Sequence, residues 1–108
     1  MNDESPKRAS ARVPVYCPVS MWGDPTQSDS VCVNLSTGGM ALAVAEPLPV
    51  GTLLRISAIL PSGRVFEATV VVVWARSDKA HRIGVCFLTL KDEARLVVND
   101  LVEHGQAA

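Results

Sequence analysis

Val31-Cys32-Val33-Asn34-Leu35-Ser36-Thr37-Gly38-Gly39-Met40-Ala41-Leu42-Ala43-Val44-Ala45 decides the fold. Two strand-like runs, residues 31–35 and 40–45, flank four turn-favouring residues, and the segment reads as a tight hairpin. Period-two patterning continues on both sides of it. Upstream, residues 13–22 form a strand whose Pro14 and Pro18 suit an edge or a strand start, because proline donates nothing to a ladder. Residues 23–30 are polar and read as a loop. Downstream, the 46–51 break separates the hairpin from a strand at 52–60. Pro61-Ser62-Gly63 then turns the chain into its longest strand, residues 64–75, where Val65, Glu67 and Thr69 alternate with Phe66, Ala68 and Val70. Beyond Val70 the alternation gives way to an apolar run ending at Trp74. A polar turn at 77–79 leads to the last strand, 82–88.

The period then changes. Leu90, Ala94, Val97, Val98 and Leu101 fall on one stripe of a helix spanning about 90–104. Thr89 is its expected N-cap, Asp92 and Glu93 suit its first turn, and Gly105 is placed to end it. The stripe has too few Lys and Arg around it for an anionic lipid surface, so the helix is expected to lid the strands. Six short antiparallel strands with one terminal helix imply an all-β fold, a small six-stranded antiparallel β-barrel with a C-terminal helix. The barrel should span residues 13–105, with a flexible arm at 1–12 before it.

Composition agrees. The 108 residues are 48% hydrophobic and 19% charged, enough for one folded core without staples. Ten Lys and Arg against eleven Asp and Glu leave a net charge of −1, which disfavours a nucleic-acid polymer as partner. Binding of single strands would also need several exposed aromatics and a basic groove, and the chain has only two Trp, one Tyr and two Phe. With no apolar run of membrane length and no signal-like stretch in residues 1–12, a soluble cytoplasmic domain without membrane insertion is expected. Cys17, Cys32 and Cys86 include no Cys-x-x-Cys pair and read as small buried hydrophobes, with a disulfide or zinc site the alternative. His81 and His104 read as surface residues. No nucleophile, metalloprotease, phosphate-loop or dinucleotide motif occurs, and neither an enzyme nor a cofactor is expected.

Two features carry chemistry. Lys7, Arg8 and Arg12 lie together, and the next cation is Arg55. In an extended arm Arg8 and Arg12 would stand roughly 13 Å apart at about 3.3 Å per residue, a span that can embrace a compact dianion. Guanidinium groups pair bidentately with phosphate oxygens and with guanine O6 and N7. The plain alternative is a solubilising tail. The second feature is Asn34-x-Ser36-x-x-Gly39. Alternation places Asn34 and Ser36 on one face. Gly38 and Gly39 permit positive φ or a close backbone approach. An ordinary hairpin turn is the alternative there.

Together, Arg8-x-x-x-Arg12 and Asn34-x-Ser36-x-x-Gly39, one strand and loop apart on a short barrel, resemble the PilZ domain family. The resemblance extends to the Gly39 to Leu42 strand entry, the Pro49-Val50-Gly51 turn, the strand ending at Trp74 and the run Arg82-Ile83-Gly84-Val85-Cys86-Phe87. It implies a receptor for the bacterial second messenger cyclic di-GMP. Ligand binding would order the arm on the barrel, and the signal would pass to a partner protein in trans. By motif position Arg8 and Arg12 contact phosphate and guanine, Asn34 and Ser36 bond a guanine edge, and Gly39 leaves room. Asn34 stands where many members have Asp, which removes a charge and predicts a lower affinity. Lys7 adds a point charge to the set. Trp74 either stacks on a guanine or packs in the core, and Trp22 has only the packing role. Two alternatives remain: a PilZ-like adaptor that binds no nucleotide, and a small barrel for single-stranded nucleic acid.

Overall fold

Alternation in the chain translates directly into walls with one dry face. In β4 (Leu53–Ile59), Leu54, Ile56 and Ala58 are buried, while Leu53, Arg55 and Ile59 are exposed. The computed structural model describes residues 12–23 and 27–104. Its other strands are β1 (Cys17–Trp22), β2 (Gln27–Leu35), β3 (Gly39–Val44), β5 (Val65–Ser77) and β6 (His81–Leu90), followed by helix α1 (Asp92–His104). All pairings are antiparallel, and the sheet closes in the order β1-β2-β3-β6-β5-β4. Closure leaves no unpaired edge. The six-stranded antiparallel barrel and its terminal helix are those expected from the patterning.

The interior is filled by alternate residues of every strand, among them Val19, Leu35, Leu42, Ile56, Val70 and Ile83. Helix α1 adds Ala94, Val98 and Leu101 to this core, so its stripe packs as a lid against the early part of β5.

Several boundaries differ from the sequence reading. Half of the polar stretch expected to be a loop is strand: Gln27 to Ser30 pair with β1, from Trp22↔Gln27 to Val19↔Ser30. The one polar residue there that faces inward, Ser30, donates its hydroxyl to the Val19 carbonyl at 3.0 Å and so meets the demand of burial. Strand β1 starts at Cys17, and Pro18 sits where pairing with β4 has not yet begun, at Val19↔Ala58, so its missing N–H breaks no bond on that side. Thr89 is not an N-cap. Thr89 and Leu90 continue β6 opposite Thr69 and Ala68, and the first turn of α1 closes with Arg95 N–H donating to the Lys91 carbonyl. Gly105 lies outside the described residues.

Trp22, expected in the core, is 40% exposed. Cys17 and Cys32 are buried free thiols, as expected, but Cys86 is only half-buried. Cys17 and Cys32 are far apart in sequence yet directly opposite across β1 and β2. His104 is exposed, as expected, and its Nδ1 lies 3.0 Å from Asp100 Oδ1 one helical turn away. Among the described residues there is no group of three metal-ligating side chains, and no helix is long and apolar enough to cross a membrane.

Candidate functional site

The site grows from one row of outward-facing positions crossing four adjacent strands. Asn34 on β2 is paired with Ala41 on β3, Ala41 with Gly84 on β6, and Gly84 with Trp74 on β5. The two small residues make a floor, and Asn34 and Trp74 stand at its ends. Ala41 is 2% exposed and Gly84 is buried. A Cβ at Gly84 would collide with the Trp74 indole, its nearest neighbours being Nε1 and Cε2, so the missing side chain is what lets the ring lie over β6.

Both end residues follow a β-bulge. The β2–β3 register shifts between Cys32 and Asn34, and the β5–β6 register shifts between Val72 and Trp74. An extra residue in one strand re-aims the side chains after it. At the first bulge the Cys32 thiol donates to the Asn34 carbonyl at 3.3 Å. The hydrogen bond with Cys17, together with burial, pushes the Cys32 thiol up, which keeps this donor protonated.

Arg12 reaches the row from the start of the described chain. Val13 forms an isolated bridge with Leu35: Val13 N–H donates to the Leu35 carbonyl at 2.9 Å, and Leu35 N–H donates back at 2.8 Å. This stitch fixes Arg12 beside Asn34, and its Nη1 donates to Asn34 Oδ1 at 3.2 Å. Asn34 therefore uses its oxygen on the arginine, while its Nδ2 remains a donor for a ligand acceptor.

Two adjoining clefts share Arg12 and Trp74. One, of about 350 Å³, is lined by Asn34, Ala41, Arg76, Asp78, Lys79 and Arg82 as well. The other, of about 180 Å³, runs past Ser36, Gly39 and Met40. Ser36 lies just beyond β2, and its N–H and hydroxyl both donate to the Gly39 carbonyl, at 2.9 and 3.3 Å, closing the hairpin. A larger cleft of about 620 Å³ between α1 and the start of β5 contains none of the expected site residues. Convergence of an arginine, an amide and an indole, not volume, marks the site.

Arg12, Asn34, Ser36, Gly39 and Trp74 are thus brought together. Lys7 and Arg8 lie outside the described residues. Trp74 is half-buried, lines both clefts and is not part of the core cluster. Gly39 has a reason the sequence did not offer: its Cβ would strike the Val85 carbonyl, so its missing side chain admits the β6 backbone. Neither Gly38 nor Gly39 has positive φ; Gly51 at 95° and Gly63 at 90° do. Sequence reasoning missed Arg76, Lys79, Arg82, Ala41 and Gly84. Patterning at 75–84 carried the only signal, an Arg-rich turn after the apolar run.

Comparison with known proteins agrees with this geometry. The family model described as the PilZ domain matches residues 6–104. The chain is 35% identical over 97 residues to the cellulose synthase catalytic subunit [UDP-forming] of Xanthomonas axonopodis pv. citri, a match covering 85% of this chain and 13% of that protein's length. Among solved structures, the Bacillus subtilis inhibitor of motility superposes with a TM-score of 0.83 at 19% identity, over 94% of this chain and 52% of that one. The PilZ domain of Escherichia coli YcgR, solved with c-di-GMP, superposes with a TM-score of 0.75 at 16% identity, over 91% and 90% of the two chains. A domain-wide family match, a closed barrel of the same architecture, and Arg12, Asn34, Ser36 and Gly39 in motif order meet in one conclusion: the chain belongs to the PilZ domain family.

Proposed function

We propose that this domain is a non-enzymatic receptor for cyclic di-GMP that acts in the bacterial cytoplasm and passes the signal to a partner protein. The observation that carries the reading is the Arg12–Asn34 hydrogen bond at the rim of a cleft whose far wall is Trp74. Each group matches part of a guanine dinucleotide. Arg12 suits a phosphate oxygen or the guanine O6 and N7 pair. The Asn34 amide suits a guanine edge, and the Trp74 indole offers a stacking face, a contact worth about 1–3 kcal/mol per base. Family membership and the ligand of the Escherichia coli relative support the same assignment. Arg8 and Lys7, four and five residues before Arg12, add charge to the arm, which orders over the bound ligand and presents a new surface to the partner.

Isothermal titration with cyclic di-GMP tests this. The wild type should bind, and Arg8→Ala, Arg12→Ala and Asn34→Ala should each bind at least about tenfold more weakly, as expected for hydrogen bonds to charged groups. Absence of binding by the wild type at tens of micromolar protein overturns the reading, leaving a nucleotide-independent adaptor. Binding unchanged in the Arg12 and Asn34 variants places the ligand elsewhere.

A further inference from the structure

Arg76 and Arg82 are direct cross-strand partners at the turn end of the β5–β6 hairpin. Like charges placed opposite each other in an antiparallel pair repel, and such pairs destabilise a sheet. No ion pair of either arginine occurs among the described residues. The nearest acid, Asp78, is fully exposed in the hairpin loop. Its carboxylate is held below its usual range first by the Lys79 and Asp78 backbone N–H groups and then by the charges of Arg76 and Arg82. Lys79 adds a further cation to the same cleft, so one carboxylate faces Arg12, Arg76, Lys79 and Arg82. The Arg76 guanidinium lies over the Trp74 ring, 5.3 Å from its centroid, and both residues line this cleft.

We propose that the hairpin is a second anion grip, in which Arg76 and Arg82 together hold a phosphate of the dinucleotide whose base meets Trp74. The inference rests on the cyclic di-GMP reading and adds contacts outside the Arg8-x-x-x-Arg12 and Asn34-x-Ser36-x-x-Gly39 residues. Two guanidinium groups facing each other across a strand pair, with an anion between them, exchange mutual repulsion for two charge-assisted bonds. The wall opposite Arg12 then carries charge of the same sign, so the ligand is clamped from the arm side and the hairpin side at once. Ligand-free repulsion at this pair follows as a consequence: the hairpin end is less stable empty than filled.

The test is titration of cyclic di-GMP into the wild type, Arg76→Gln, Arg82→Gln and a control, Arg55→Gln, at several salt concentrations. Arg55 lies on β4, away from the cleft, and its loss removes the same net charge. Expected are an affinity about tenfold lower in each hairpin variant, a shallower salt dependence, and an unchanged affinity in Arg55→Gln. Melting temperatures of the ligand-free hairpin variants should be equal to or above that of the wild type, because a repulsion has been removed. A wild type that binds, with both hairpin variants within twofold of it, overturns this inference and leaves the functional reading intact. A wild type that fails to bind overturns both.

Discussion

Gly39 and Gly84 are both hemmed in, but by different kinds of neighbour, and that difference separates their roles. At Gly39 the obstacle is the Val85 carbonyl, part of the β6 ladder, which can yield only if β3 and β6 separate. At Gly84 the obstacle is the Trp74 indole, a half-buried side chain with room to swing outward. Gly39→Ala should therefore lower stability by about 1–3 kcal/mol or more, the range for overpacking a close contact, as read by urea denaturation. Gly84→Ala should instead displace the indole with a small change in stability. In a Trp22→Phe background the remaining tryptophan emission should shift to longer wavelength, and cyclic di-GMP affinity should fall by about tenfold through lost stacking. An unshifted emission spectrum would show that Gly84 is not the seat of Trp74. Asn34 and Ser36 were legible as a same-face pair from their spacing. Gly39 was legible as a required glycine, but the atom requiring it sits 46 residues away on β6 and leaves no trace in the local sequence.

At the scale of elements, β5 joins two regions that do different work. Its first residues, Val65 and Phe66, meet α1, and near its end Trp74 and Arg76 line the candidate cleft. Eight residues of strand from Phe66 to Trp74 span about 26 Å at 3.3 Å per residue. Leu101, 2% exposed in the core under α1, can therefore be truncated without reaching the site. Leu101→Ala should cost about 2–5 kcal/mol of stability, the range for a buried leucine, as read by urea denaturation. Ligand affinity of the folded fraction should stay within twofold of the wild type; a larger loss would show that the helix bears on the cleft. Strand identities were legible here because alternation imposes one dry face. The bulges before Asn34 and Trp74 were not, since a bulge is a property of two paired strands, and β2 and β5 carry no glycine or proline to announce it. Thr89 looked like a cap because Thr, Asp and Glu preceded a helical stripe. Ladder pairing with Thr69 overrode that local preference, and the β-branched Thr89 suits a strand equally well.

For the molecule as a whole, the sheet brings the arm stitch at Val13–Leu35 and the β5–β6 hairpin to opposite ends of one row, so the proposed ligand would tie distant parts of the chain together. Binding to the folded state alone adds about 2.7 kcal/mol at a ligand concentration a hundredfold above Kd, which for a domain near 100 residues raises Tm by roughly 10 °C or more. Differential scanning fluorimetry should show this rise with cyclic di-GMP and a smaller one for Arg12→Ala at the same concentration. A flat response up to millimolar ligand would contradict the receptor role. A net charge of −1 argued against a polymer, and that average hides the cations that converge on a single cleft. Sequence alone determined the elements, the barrel class, the dry faces and the Arg12, Asn34 and Ser36 set, because periodicity and short-range spacing are local properties. Tertiary structure alone decided that Ala41 and Gly84 make the floor, that Cys17 faces Cys32, and that Arg76 faces Arg82 beside Arg12. Those relations depend on strand register and barrel closure, which couple residues up to 70 positions apart and which no local window of the chain contains.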